Sequence, residues 1–259
     1  IIKRTDASVD WKMFDNARNP LNPVDKILQP NTVGAEGDYD TINFTDTGFN
    51  LTDNGGAINT SSGTYIYMAF AGGMDSISDY NTDGTIDSRV KANPTYGQSI
   101  VSYTGNGTAG ATVGHGLSSA PEMLIVKSRT VAGKHWATYH KDLGNTVRLD
   151  LERDVAQITG TGAWNSTTPT SSLVTLGSQS DVNTSSADHI MYAFHSVTGY
   201  SKFDTYTGTA GTHTITTGFN PAFIMIKRTN TTGEHWYMYD NTRFPHSQQN
   251  SVTANNNGV

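Results

Sequence analysis

The sequence predicts an all-β protein built of tandem antiparallel β-sandwiches, and three observations carry that expectation. Apolar residues make up 35% of the 259-residue chain and charged residues only 15%, while 26 Gly, 12 Tyr and 9 Phe stand among many Thr, Ser and Asn. Thr, Tyr, Phe, Val and Ile fit a pleated surface, and Gly and Asn supply turns. Short apolar pieces at 27–28, 42–44, 49–51 and 64–71 are each bounded by Gly, Asn or Asp, as in a meandering sandwich. The third observation is a repeated phrase: PAFIMIKRTNTTGEHWYMYDNTR, Pro221 to Arg243, recurs as PEMLIVKSRTVAGKHWATYH, Pro121 to His140, and as IIKRTDASVDWKMFDNAR, Ile1 to Arg18.

Between the second and third copies the offset is 100 residues without a gap, matching Pro121 to Pro221, Lys127 to Lys227, Gly133 to Gly233, His135 to His235, Trp136 to Trp236 and Tyr139 to Tyr239. The first copy, one residue shorter in its turn, matches through Lys3, Trp11, Phe14, Asp15 and Arg18. Such a period is too long for a solenoid and suits a whole small domain. Four segments follow: a partial repeat at 1–72 without opening strands, an Asp/Ser/Asn/Gly connector at 73–96, a complete repeat at 97–199, and a partial repeat at 200–259 without closing strands.

Each element has its local reason. Ile1 to Arg18 reads as two strands around a turn at Thr5 to Asp10, followed by the Pro-broken loop Asn19 to Pro23. TYIYMAFA, Thr64 to Ala71, is apolar on both faces and reads as a central, fully covered strand. In the complete copy the closing strand repeats, Ile190 to Phe194 answering Ile66 to Phe70. YTGTAGTHTITTGFNP then answers YTGNGTAGATVGHGLSSAP and opens the third copy. Because 2–34 and 226–259 cover the same part of the repeat, the chain reads as a window on a longer array, not as one domain split between its ends.

The net charge of −6, without a Lys/Arg cluster, argues against nucleic acid or an anionic membrane as partner. No apolar run approaches the roughly 18 residues of a membrane-spanning helix, and IIKRTD is no signal peptide. With no Cys there are neither disulfides nor thiolate metal sites, which for an extracellular module fits assembly in a reducing cytosol and later release. The sequence holds no Gly-x-Ser-x-Gly, His-Glu-x-x-His, P-loop or Cys nucleophile. Glu152 and Asp154 form one close acid pair without a second motif, so no catalytic residues and no enzyme are expected.

The phrases DGTIDSRVKAN, SIVSYTGNGTAGATVGHGLSSAPEMLIVKSR, HWATYHKDLG, AWNSTTPTSSLVTLGS, YAFHSVTGYSKF, NPAFIMIKRT, WKMFDNARNP and GTYIYMAFA resemble a tandemly repeated domain of unknown function found in tail-fibre and other structural proteins of tailed, especially marine, bacteriophages. The resemblance covers nearly the whole chain. It implies a virion protein, an adhesin or a fibre shaft, with sandwiches of the jelly-roll, concanavalin-like or laminin-G-like kind. It supplies no catalytic or ligand residues.

Candidate site residues therefore rest on chemistry. Trp11, Trp136 and Trp236 recur at the start of one strand; an aromatic face can stack on a sugar, but recurrence beside an apolar strand is what packing produces. Trp164 has no counterpart and lies in the polar loop NSTTPTSS, which makes it the candidate glycan-facing aromatic, against the alternative that its loop folds it onto its own sandwich. Lys3, Lys127 and Lys227 end an apolar strand, and Asp15–Arg18 and Asp240–Arg243 read as surface ion pairs of little worth at solvated strand ends. The sharpest motif is DYNTDGTID, in which Asp79, Asn81, Asp83, Thr85 and Asp87 have the alternating oxygen spacing of a calcium loop. Its position 12 is Val90, where a bidentate acid is needed, and an Asp-Gly turn between two short strands explains the same residues.

The function expected from these observations is a non-enzymatic virion or extracellular module, a tail fibre or surface decoration that binds host-surface glycans through loops at the sandwich ends. The alternative is a structural spacer without a ligand, and a glycan-degrading tailspike stands last. Expected partners are further copies of the chain, other virion proteins and host polysaccharide, with calcium as the one cofactor to test.

Overall fold

The computed structural model describes residues 1–52, 57–72, 80–242 and 252–257. The first copy forms β1 (Ile2–Arg4), β2 (Val24–Ile27), β3 (Gly37–Thr45), β4 (Gly48–Leu51) and β5 (Tyr65–Tyr67). The middle copy holds β6 (Tyr80–Asn81), β7 (Ser88–Asn93), β8 (Gln98–Thr104), β9 (Ala111–Gly114), β10 (Met123–Ser128), β11 (Ala137–His140), β12 (Val147–Asp150), β13 (Ile158–Thr159), β14 (Leu173–Leu176) and β15 (Asp188–Phe194), with the helical turn α1 (Ser180–Asn183) before the last strand. The third copy adds β16 (Phe223–Lys227), β17 (Trp236–Asp240) and β18 (Val252–Thr253).

The fold is all-β, as the composition predicts, with the antiparallel sheets of a sandwich. One eight-stranded sheet runs β13-β12-β11-β10-β15-β8-β7-β6, and β14-β9 forms a two-stranded partner. Side chains alternate across each strand, so β10 faces two ways. Leu124 and Val126 join Val101, Tyr103, Tyr139 and Met191 of the large sheet with Val113, Val174 and Leu176 of the small one. Met123 on the opposite face joins Trp136, Leu149, Leu151, Ile190 and Tyr192, and there the first copy adds Trp11, Met13 and Leu28 while the third adds Trp236, Met238 and Ala254. The middle sheet is therefore covered on both faces, which is why EMLIVKS and HIMYAFH read as nearly continuous apolar runs.

Three expectations change. Residues 80–93, read as connector, form β6 and β7, and Ile86 enters the middle core. The stretch has few large apolar side chains because β7 is ordered chiefly by its ladder, Ser88↔Tyr103 to Asn93↔Gln98, on β8. TYIYMAFA is not a covered central strand: β5 pairs only with β1 among the described residues, and Tyr67 and Phe70 are exposed. Its counterpart β15 takes that central place, since β10 and β8 flank it. Trp164, the candidate glycan-facing aromatic, lies in the core at 1% exposure. Its Nε1–H donates to the Val147 carbonyl at 3.1 Å and its ring meets Tyr139 edge-on. A polar loop hides a core residue here because the indole finds both apolar cover and an acceptor inside.

Buried histidines give this sandwich an acid limit. His189 Nδ1 lies 2.9 Å from the Ala187 carbonyl, Nε2 accepts the Thr184 N–H, and the ring stacks on Tyr103. Burial pulls its pKa down to about 4, and burial also lowers that of His115. The unfolded chain takes up the His189 proton near 6.5 and the native chain only near 4, so stability falls as pH drops through that window. At about 1.4 kcal/mol per pH unit, we expect His189 to account for a loss of about 2 kcal/mol between pH 7 and pH 5. Urea unfolding at the two pH values, with His189→Gln flattening the difference, checks this; an equal slope in the variant would show that His189 is not its source.

Candidate functional site at the junction of the repeats

The repeated hairpins meet in one place. Trp11, Trp136 and Trp236, one from each copy and exposed by 2%, 0% and 4%, belong to a single buried cluster. Their recurrence was legible as packing, but the packing is between copies. Trp136 Nε1–H donates to the Thr32 carbonyl of the first copy at 2.9 Å, and Trp236 Nε1–H to the Asp150 carbonyl of the middle copy at 3.1 Å. The Trp11 Nε1 is buried without a partner among the described residues.

The backbone repeats the pattern. Gly133 N–H donates to the Val33 carbonyl and Glu36 N–H to the Arg129 carbonyl, which ties the middle turn to the first copy. One copy further on, Gly233 N–H donates to the Asp154 carbonyl and Gln157 N–H to the Thr229 carbonyl. Lysine closes the circle: Lys127 Nζ donates to Lys134 of its own turn at 2.9 Å and to Val33 of the first copy at 3.4 Å, and Lys3 Nζ donates to Val9 of its own turn at 2.9 Å and to Asn257 of the third copy at 3.3 Å. Lys227 Nζ donates to the Glu234 carbonyl of its own turn. Each copy thus rests on the one before it, and the first rests on the third.

These lysines are not solvated strand ends: Lys3 and Lys127 are buried. Burial lowers the pKa of all three, that of Lys127 to about 8, with Glu152 and Asp181 opposing the shift. Nor is Asp15–Arg18 a surface pair. Arg18 Nε lies 2.6 Å from Asp15 Oδ2, with both side chains at 2% exposure or less. Its Nη1 donates to Glu36 at 2.9 Å and its Nη2 to the Met13 carbonyl, while Tyr192 of the middle copy donates its hydroxyl to Asp15. Glu36 also receives a two-pronged bond from Arg129 at 2.9 and 3.0 Å. Burial alone would raise the Asp15 carboxyl, yet Arg18 beside it holds it below the usual carboxylate range. Arg243, of the corresponding pair with Asp240, lies outside the described residues.

Beside the tryptophans, each copy carries a polar latch. An acceptor two strands' length on takes the Trp backbone N–H: Asn31 for Trp11, Glu152 for Trp136 and Asn255 for Trp236. The residue before each Trp pairs with that acceptor, as Asp10 with Asn31, His135 with Glu152 and His235 with Asn255. In the middle copy this brings His135, Asp150 and Glu152 close enough to hold a metal ion. Arg148 and Arg153 each lie 3.2 Å from Asp150, the former as an ion pair not aligned for a hydrogen bond, so Asp150 Oδ1 is buried without a hydrogen-bond partner among the described residues, while Glu152 serves the latch. Glu152, one half of the Glu152–Asp154 acid pair, is thus held by His135 and the Trp136 N–H.

In the calcium-like stretch the described residues build a turn. Asp79 lies outside the described residues. Asn81 Oδ1 accepts the Asp83 N–H at 2.9 Å and its Nδ2 donates to Asp83 Oδ2, closing an Asx turn. Thr85 Oγ1 accepts the Thr112 N–H at 2.8 Å, and Asp87 is exposed at the entry to β7. A Cβ on Gly84 would stand 2.3 Å from the Thr112 carbonyl, so glycine is needed there for close approach to β9. Asn81, Asp83 and Thr85 thus serve the Asp-Gly hairpin turn between β6 and β7.

What the junction can do is hold three copies in a fixed relation. No curated protein and no solved structure matches the chain. A family model does, over residues 1–73 and 75–259, and the chain belongs to the family described as Domain of unknown function (DUF7483).

Proposed function

We propose that the protein is a non-enzymatic structural module of a phage virion, a length of tail fibre or a surface decoration in which repeats are locked into a stiff unit. The observation that carries this reading is the shared tryptophan cluster, in which each copy supplies an indole and two of the indoles donate to a carbonyl of the copy before. Repeats joined by flexible linkers move independently, whereas a buried inter-copy core transmits force and holds spacing. The virion assignment rests on the resemblance of the repeated phrases to phage structural proteins.

Host-glycan binding is the second reading, and one observation favours it. Tyr96 and Tyr200, both exposed, form a tilted ring pair with centroids 5.0 Å apart beside the β7–β8 turn, a platform of the kind that apolar sugar faces stack on. Antibodies raised against the chain are expected to label particles of the phage that encodes it, and purified virions without label would sink the structural reading. Binding of the chain to host cells, lost when Tyr96 and Tyr200 are both replaced by Ala, would establish the adhesin; absence of cell binding leaves a spacer.

A further inference from the structure

A polar groove opens beside the Tyr96–Tyr200 pair. Tyr96 ends one tight helical turn, Pro94–Tyr96, where Asn93 Oδ1 accepts its backbone N–H at 3.3 Å. Gly97 follows, and a Cβ there would stand 2.4 Å from the His195 carbonyl, so glycine lets this turn close on the one that carries Tyr200. That second turn is drawn together by Val197 and Ser201, whose backbones exchange N–H···O bonds of 3.1 and 2.9 Å. It is also fixed on the middle copy: Ser196 donates its N–H and its hydroxyl to Glu122 Oε2, and Phe203 stacks on Phe194 of β15. Backbone turns thus hold both tyrosines, whose side chains remain exposed.

The groove, about 320 Å³, lies between this second turn and the segment before β16, and Gly199 and Ser201 on either side of Tyr200 both line it. Glu122, Lys141, Thr198, Lys202, Phe203 and Thr217 also form its wall. Its charges are paired. Lys141 Nζ donates to Glu122 Oε1 at 2.9 Å, and Lys202 Nζ lies 3.1 Å from Asp204 Oδ2 and donates to the Thr216 carbonyl at 3.0 Å. Burial alone would raise the Glu122 carboxyl, yet Ser196 and Lys141 hold it below the usual carboxylate range. The bond to Glu122 raises the Lys141 pKa in turn, against burial, and Asp142 and Asp204 add to the rise. Burial lowers the pKa of His140, so that ring adds no positive charge at neutral pH. Among the described residues here, the carboxylates Glu122, Asp142 and Asp204 therefore outnumber the ammonium groups of Lys141 and Lys202. A carboxylated sugar would meet like charge. Each hydroxyl of an uncharged sugar, by contrast, can donate to a carboxylate and accept from an ammonium group, both as charge-assisted bonds.

We propose that the tyrosine pair and the groove form one site for an uncharged saccharide, with a pyranose face on Tyr96 and Tyr200 and the hydroxyls of the adjoining sugar against Glu122, Lys141 and Lys202. The inference rests on the glycan reading of the tyrosine pair and adds to it the class of sugar and the second half of the site. An aromatic platform alone takes any apolar sugar face and discriminates little. Converging polar groups beside it fix orientation and supply specificity, and the surplus of carboxylates turns that specificity against uronates and sialates.

A printed panel of neutral hexose and N-acetylhexosamine oligosaccharides, set beside uronate- and sialate-bearing ones, tests it. The chain is expected to bind neutral members and to pass over the carboxylated ones. Thr198 is exposed, so Thr198→Trp fills the groove without entering the core, and circular dichroism should be unchanged. It should weaken binding by at least about tenfold, as should Tyr96→Ala combined with Tyr200→Ala. Preference for carboxylated sugars would overturn the proposal. So would neutral binding that needs the tyrosines but survives Thr198→Trp, since the platform would then act alone and the glycan reading would stand without the groove. A chain that binds no member of the panel would overturn the groove and the glycan reading together.

Discussion

Replacing Arg18 by Met should destabilise the protein by about 3–5 kcal/mol, the range for removing one partner of a buried ion pair. The substitution takes away the 2.6 Å contact to Asp15, the bond to Glu36 and the bond to the Met13 carbonyl together. It leaves the Asp15 carboxylate buried with the Tyr192 hydroxyl and the Arg18 backbone N–H as its remaining donors. Urea unfolding measures the loss, and its size is decisive, because an exposed pair of the kind the sequence suggests would cost only about 0.2–1 kcal/mol. Arg18→Lys should recover little, since a single ammonium cannot reproduce a fork that reaches three acceptors. Asp15→Asn combined with Arg18→Met should recover much of the loss, as no charge is then left buried. A change below 1 kcal/mol in the single variant would show that water reaches the network.

Trp136→Ala should cost a similar amount, about 3–5 kcal/mol for truncating a buried Trp, but it should fail differently from Trp164→Ala. Trp136 packs with Trp11 and Trp236 and satisfies Thr32 of the first copy, so its loss loosens the contact between copies. Trp164 sits between the two sheets of the middle copy and bonds Val147 of the same copy. Limited proteolysis of Trp136→Ala is therefore expected to release the flanking copies while the middle sandwich persists, and calorimetry should show two transitions. Trp164→Ala should unfold the middle copy itself at a lower temperature. If Trp136→Ala melted in one transition with its flanks still protected, the tryptophan cluster would not be what holds the copies together.

The repeated hairpin shows how far pattern carries. The short apolar run in EMLIVKS and the recurring Trp predict strands and a buried indole, and both are present in β10 and at Trp136. Pattern is silent about which surface covers the indole, because an apolar face buried within a copy and one buried between copies look alike in sequence. Lys3 and Lys127 show the same limit: a lysine at a strand end reads as solvated until the carbonyls of a neighbouring copy are seen to surround its ammonium. The Glu36–Arg129 contact spans 93 residues and no local signal announces it. For Trp164 the surrounding Ser, Thr and Asn suggested a surface loop, although the indole outweighed them by finding an apolar pocket and an acceptor.

By itself the sequence determined the all-β class, the threefold recurrence of the hairpin, the turn at Gly84 as one of two readings, and the acidic, cysteine-free character that argues against nucleic acid and disulfides. Those are properties of local propensity, periodicity and composition, which neighbouring residues decide. The tertiary structure alone decided that the three tryptophans share one core, that Asp15 and Arg18 are buried, and that 80–93 belongs to the middle sheet. Burial and pairing depend on residues far away in sequence, and in a repeat protein several copies compete for each such place, so only the folded chain shows which copy takes it.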